Sequence, residues 1–180
     1  MGQQYNALET RHIEFINQQH MFFVATAPAN GHINLSPKGI DSLRVIDNNT
    51  VLWLNLTGSG NETAAHMLEN RNMTLMFCAF EGKPLILRLY GEAEIVHTNN
   101  DRWDQWVQYF PQQNGARQIV KLNIALVQSS CGMGVPLFEF KQQRNELTQW
   151  LNSKSEAEIT EYWRKKNTKS LNGKPTGIPV

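Results

Sequence analysis

The stretch VLWLNLTGSGNETAAHMLENRNMTLMFCAF, residues 51–80, decides the fold. With Thr50 before it, TVLWLNL is a run of strand formers. A polar turn with two glycines follows, and then a short apolar segment closed by Asn70, Arg71 and Asn72. MTLMFCAF (73–80) is apolar on both faces, as in a barrel wall. The pattern predicts a strand, a glycine-containing loop, a helix of about nine residues and a second strand. The loop does not fit two well-known nucleotide motifs. A P-loop needs lysine and then serine or threonine after its last glycine, and Asn61 follows Gly60. The dinucleotide fingerprint needs a third glycine or alanine for close helix–strand packing, and Thr63 stands there.

Two roles stay open for this loop. Ser59 and Glu62 have the spacing of a capping box, with Gly58 and Gly60 serving the turn. Thr57, Ser59, Asn61 and Thr63 also crowd small donors around a helix N-terminus, which holds an anion when a cation is near. Glu62 opposes that role, because a carboxylate repels a phosphate dianion. Lys38 is the cation to consider, and it reaches the loop if residues 33–38 pair with 50–56.

The remaining elements extend outward from this unit. Residues 7–20 set Leu8, His12, Phe15 and Ile16 on one face, as an amphipathic helix does. MFFVATA (21–27), the turn PANGH and INLSPKG form a hairpin reaching Lys38. LILRLYGEAEIV (85–96) is a long strand with Gly91 at a bulge or bend. Residues 99–110 place Trp103, Trp106, Val107 and Phe110 on one helical face, for core or subunit contacts. QIVKLNIALVQSS (118–130) is a strand, CGMGVP interrupts it and LFEF (137–140) resumes it. Residues 144–167 read as two short helices and NGKPTGIPV as a tail. Strands outnumber helices and several join by tight turns, which predicts a mainly antiparallel β-barrel with peripheral helices. Residues 1–143 form the barrel with its N-terminal helix, and 144–180 a helical extension of the same domain.

At 180 residues the chain suits one domain with a full core. A net charge of +1 gives no general attraction to nucleic acid or membrane, so any anion site must be local. The absence of a signal peptide, of a spanning segment and of paired cysteines predicts a cytoplasmic protein. Asn-x-Ser/Thr triplets such as Asn55-Leu56-Thr57 are then chance, and MGQQYN lacks the Ser/Thr of a myristoylation signal. The five histidines show no metal-ligand spacing, and no metal site is expected. Cys131 has no basic neighbour in sequence to activate it as a nucleophile.

FFVATAPANGHINLSPKG (22–39), the 51–80 stretch and LILRLYGEAEIV, in that order, resemble the pyridoxamine 5'-phosphate oxidase superfamily of FMN-binding split β-barrels. SSCGMGVPLFEF (129–140) and EYWRKKNTKSLNGKPTG (161–177) resemble parts of one FMN-binding subgroup. The resemblance implies a six-stranded antiparallel split barrel and a homodimer with FMN at the subunit interface. It implies that Asn34, Leu35 and Ser36 follow the flavin with their backbone and that Lys38 meets the phosphate. Asn55, Thr57, Ser59, Gly60, Asn61 and Thr63 occupy the family's further phosphate positions. The bend from Cys131 to Gly134 would approach the flavin ring.

Two departures qualify what carries over. The parent oxidases have Ser-Arg-Lys where this chain has Ser59-Gly60-Asn61, so two cations are missing. Arg88 could replace one, or pair with a carboxylate across the dimer. The Arg-x-His substrate motif that ends the parent oxidases is also absent. The expectation is an FMN-binding oxidoreductase of this family acting on an unidentified small molecule, with catalytic residues unassigned. The alternative is a non-catalytic flavin- or haem-binding module, with His32 or His66 as the haem ligand.

Overall fold

The computed structural model describes residues 2–180, so only Met1 of the expected barrel unit lies outside the described residues. The elements are β1 (Gln3–Tyr5), α1 (Thr10–Gln18), β2 (Phe22–Thr26), β3 (Asn34–Lys38), β4 (Leu43–Asp47), β5 (Thr50–Leu56) and α2 (Glu62–Met67). They continue with β6 (Asn72–Cys78), β7 (Ile86–His97), α3 (Trp103–Val107), β8 (Ala116–Ser130), α4 (Glu146–Asn152) and α5 (Glu156–Lys166). All strands join one antiparallel sheet in the order β3-β2-β6-β7-β8-β5-β4, with β1 added to β8. The sheet has eight strands rather than the expected six, the additions being the short β1 and β4. One edge of β8 is shared, its first part pairing β5 and its last part β1.

Strand alternation packs Val24, Trp53, Leu75, Phe77, Leu87, Leu89, Val120, Leu122 and Val127 inside the curved sheet, with Leu8 and Ile16 of the α1 region joining them. On the outer face Leu52, Leu54, Val96 and Ile119 are covered by α3 and Phe110. The long hairpin of β7 and β8 shifts register between Tyr90 and Gly91. A Cβ at Gly91 would lie 2.0 Å from the Asn123 carbonyl oxygen, so only glycine fits the expected bulge.

The sheet does not close, because its edge strands β3 and β4 are joined by the corner 39–42 without pairing. The expected pairing of 33–38 with 50–56 is therefore not formed: β3 pairs only β2, while β5 lies between β4 and β8. Ile40 and Asp41 turn this corner with φ of 58° and 48°. For a β-branched residue such as Ile40 that is a strained conformation.

Three local expectations change. Residues 137–140 are not a strand but an extended arm, held by Phe138 N donating to Phe80 O (2.9 Å) and Phe140 N to Glu81 Oε1 (2.7 Å). The helices predicted after the glycine loop and over 99–110 shorten to Glu62–Met67 and Trp103–Val107, the latter preceded by an Asn100 turn. Ser59 caps nothing: Asn61 is the N-cap of α2, and Glu62 Oε1 accepts instead from Leu171 N at 2.9 Å. A true capping box forms in the C-terminal extension, where Ser155 and Glu158 satisfy each other's backbone N–H at the start of α5. There Leu151, Ile159, Trp163 and the tail residue Ile178 build a small core of their own.

Candidate functional site

A cavity of about 390 Å³ fills the seam where the barrel stays open, a size usual for a small-ligand site. Its walls are β3, the 39–42 corner, the end of β5 and the loop into α2, with Arg117 and Leu147 completing them. Asn34, Ser36 and Lys38 line it from alternate positions of β3. Leu35 faces the other way and is 62% exposed, so its side chain does not belong to the site. Lys38 thus reaches the loop across the seam, not through a strand ladder. Its Nζ sits 5.0 Å from the centre of the Trp53 ring, a cation–π contact.

Arg117, near the start of β8, is the second cation and was not anticipated. Its Nη1 donates to Gly60 O at 3.0 Å. With the Asn55 amide turned to match its neighbours, Asn55 Oδ1 accepts from Arg117 Nη2 (3.2 Å) and Gln118 Nε2 (2.9 Å). Arg117 Nε is buried without a partner. Burial and then the Arg117 charge push the Lys38 amine down to about 8. Burial alone lowers the guanidinium to about 10, against a small opposing effect of Tyr162. Among the described residues neither cation forms an ion pair with a carboxylate. Two partly or fully desolvated cations sharing one cavity repel each other and favour an anion between them.

The loop divides into residues free to meet a ligand and residues already committed. Ser59 and Thr63 line the cavity, and among the described residues their side chains have no protein hydrogen bond. Thr57 is committed, contrary to its expected role: its hydroxyl donates to Gly115 O (2.9 Å) and accepts from Trp163 Nε1 (2.8 Å). Asn61 is committed too, its amide nitrogen contacting Gln118 Oε1 and Asn167 O, both at 3.4 Å, while its oxygen accepts from Gln118 Nε2 at 2.9 Å. Neither Gly58 nor Gly60 has a positive φ, and a Cβ on either would meet nothing closer than 3.6 Å. The turn therefore does not demand these glycines, which keep the cavity wall low. Glu62 opposes an anion less than expected, because Leu171 N holds its carboxylate.

Other sequence candidates fall elsewhere. Arg88 Nη1 donates to Ser130 Oγ at 3.2 Å, outside the cavity. The bend at Gly132 approaches the Leu85 backbone, where a Cβ would come within 2.7 Å, and it too lies outside the cavity walls. His66 is 1% exposed and its Nδ1 is taken by Thr26 Oγ1 at 2.9 Å; His32 lies in the exposed hairpin turn. Neither lines the cavity. Among the described residues no cluster of metal-ligating side chains occurs, and no helix is long and apolar enough to cross a membrane.

An open split barrel with a cationic cavity in its seam defines the class. The chain belongs to the pyridoxamine 5'-phosphate oxidase family, whose model matches residues 8–131. It is 34% identical over 189 residues to the pyridoxamine 5'-phosphate oxidase family protein ustO of Aspergillus flavus, covering 95% of this chain and 76% of the other. Its fold is similar to that of a candidate pyridoxamine 5'-phosphate oxidase from Lactobacillus delbrueckii (TM-score 0.55, 21% identity, 68% of this chain and 94% of the other). It is likewise similar to HupZ of Group A Streptococcus (TM-score 0.52, 24% identity, 65% and 89%).

Proposed function

We propose that this protein is an FMN-binding oxidoreductase that acts as a homodimer on a small molecule. The observation that carries this is the pairing of Lys38 and Arg117 in one cavity, neither ion-paired with a carboxylate, beside the free hydroxyls of Ser59 and Thr63 and with the lining Glu62 engaged by Leu171 N. Such a set fits a phosphate dianion: two cations neutralise it, and hydroxyl and backbone N–H groups donate to its oxygens. Arg117 supplies the charge that the Ser59-Gly60-Asn61 loop lacks. Asn34 and Ser36, on the same face of β3 as Lys38, would lie along the ring system. Bound FMN would supply the hydride chemistry, with the protein holding it and shaping access to the ring.

Dimerisation is supported by the uncovered face of the sheet. Register places Phe23, Met76, Arg88 and Gln128 in one row across β2, β6, β7 and β8, and Ala25, Thr74, Tyr90 and Leu126 in the next. All are partly exposed, and the arm adds Phe138 and Phe140 at 61% and 40% exposure. A sheet face of this composition is normally covered by another layer. The test is direct. Purified protein should be yellow with a flavin spectrum, release FMN on denaturation and elute as a dimer. Failure of the colourless protein to take up added FMN would refute the assignment, and a flavin-loaded monomer would refute the interface site.

A further inference from the structure

The C-terminal segment lies beyond the residues that the family model matches, yet it is bonded to the glycine loop, the β2–β3 hairpin and the 39–42 corner. At the loop, Trp163 Nε1 donates to the buried Thr57 hydroxyl (2.8 Å) and Asn167 Nδ2 to Gly58 O (3.0 Å). Thr57 passes the restraint on, since both its N–H and its hydroxyl donate to Gly115 O at 2.9 Å. At the hairpin, Lys174 Nζ donates to Asn30 O (2.9 Å) and pairs with Glu69 (2.6 Å). At the strained corner, Gln143 Nε2 donates to His20 O (2.9 Å) while its Oε1 accepts from Ile40 N (3.4 Å).

These contacts have a common consequence. β3 and β4 share no hydrogen bonds, so the ladder does not set the distance between the Lys38 wall and the glycine loop. The segment that spans them does. Trp163 is fixed by its own small core with Leu151, Ile159 and Ile178, which makes its N–H a rigid post for the loop. We propose that residues 143–176 set the width of the seam, with Trp163 and Asn167 as positioning residues for the loop 57–61. The ligand named in the test rests on the FMN assignment; the restraint on the loop does not.

The experiment uses the full chain. Trp163→Phe keeps the ring and loses the N–H; Thr57→Val loses the acceptor with the indole intact; Thr57→Ser keeps the hydroxyl. Amide hydrogen exchange is read without ligand, and FMN affinity by titration. Exchange of the residue-57 amide, which donates to Gly115 O at 2.9 Å, should accelerate about tenfold in Trp163→Phe and Thr57→Val, with β6 unchanged, and FMN affinity should fall about tenfold. Thr57→Ser should restore both. Unchanged exchange in the first two variants overturns the proposal. Faster exchange with unchanged FMN affinity overturns the positioning role. If the wild-type chain takes up no FMN, the proposed function fails, while the exchange result alone decides whether the segment restrains the loop. Should Trp163→Phe unfold, Thr57→Val against Thr57→Ser makes the same decision.

Discussion

Two places in this molecule bring a lysine and an arginine together beside a tryptophan, and they differ in one partner. On the outer face, Lys121 Nζ lies 5.5 Å from the centre of the Trp106 ring, and both Lys121 (3.7 Å) and Arg102 (2.9 Å) pair with Glu94. In the seam, Lys38 lies over Trp53 and feels the Arg117 charge, and among the described residues neither pairs with a carboxylate. The hydrogen bond from Arg102 holds the Glu94 carboxyl below its ordinary value, as expected of a completed pair. The seam shows the opposite sign: both cations are pushed toward their neutral forms. The fold thus completes one cluster with a carboxylate of its own and leaves the more buried one without such a pair.

The comparison breaks most sharply at Arg117. Arg117→Met should weaken FMN binding by about 100-fold, the scale of a lost charge-assisted contact. Its ligand-free melting temperature should stay level or rise, since a buried cation without a carboxylate partner is removed. A large fall in stability with unchanged affinity would make Arg117 structural. Lys38 comes next. Because its free-state value is about 8, FMN affinity should be full below that pH and fall up to tenfold per unit above it. Lys38→Met should bind weakly with no such slope, and titrations from pH 7 to 9.5 check both. The outer cluster should behave differently: Glu94→Gln leaves affinity unchanged and lowers the melting temperature by about 2–4 °C, as for a partly exposed pair worth up to ~1 kcal/mol. The smallest effect concerns His97, held below its ordinary value by burial and then by the Arg117 charge. Arg117→Met should raise the His97 value modestly, read by NMR titration, with burial keeping it below that of a free histidine.

The wild-type protein should also lose stability as pH falls below about 6.5. His12, His66 and His97 all have lowered values in the folded state. The unfolded chain therefore binds protons first.

The strand run, the hairpin and the Gly91 bulge were legible because each depends on local pattern. The nearness of Lys38 to the loop was legible as well, although the route to it was not: a corner of left-handed residues at Ile40 and Asp41 cannot be told from a continued strand. Arg117 was hidden because a single arginine at a strand end carries no spacing signal. What ties it to the cavity loop is the Gly60 carbonyl, 57 positions earlier in the chain. Thr57 and Asn61 show the converse. Their side-chain types suit an anion, but Trp163, Gly115, Gln118 and Asn167 occupy them first, and these partners come together only once β8 and the extension have folded. The extension itself was visible as two helices, but its contacts with the loop were not, since they are single hydrogen bonds and one ion pair to residues far away in the chain.

The depressed Lys38 amine has a chemical consequence. An ammonium that titrates near 8 carries an appreciable neutral fraction at physiological pH, and a neutral amine is a nucleophile. Surface lysines, with ordinary values near ~10.4, are almost wholly protonated there. A mild acylating reagent should therefore mark Lys38 ahead of the other lysines in ligand-free protein, and an anion seated in the seam should shield it. Mass spectrometry of the modified lysine then becomes a direct count of empty sites.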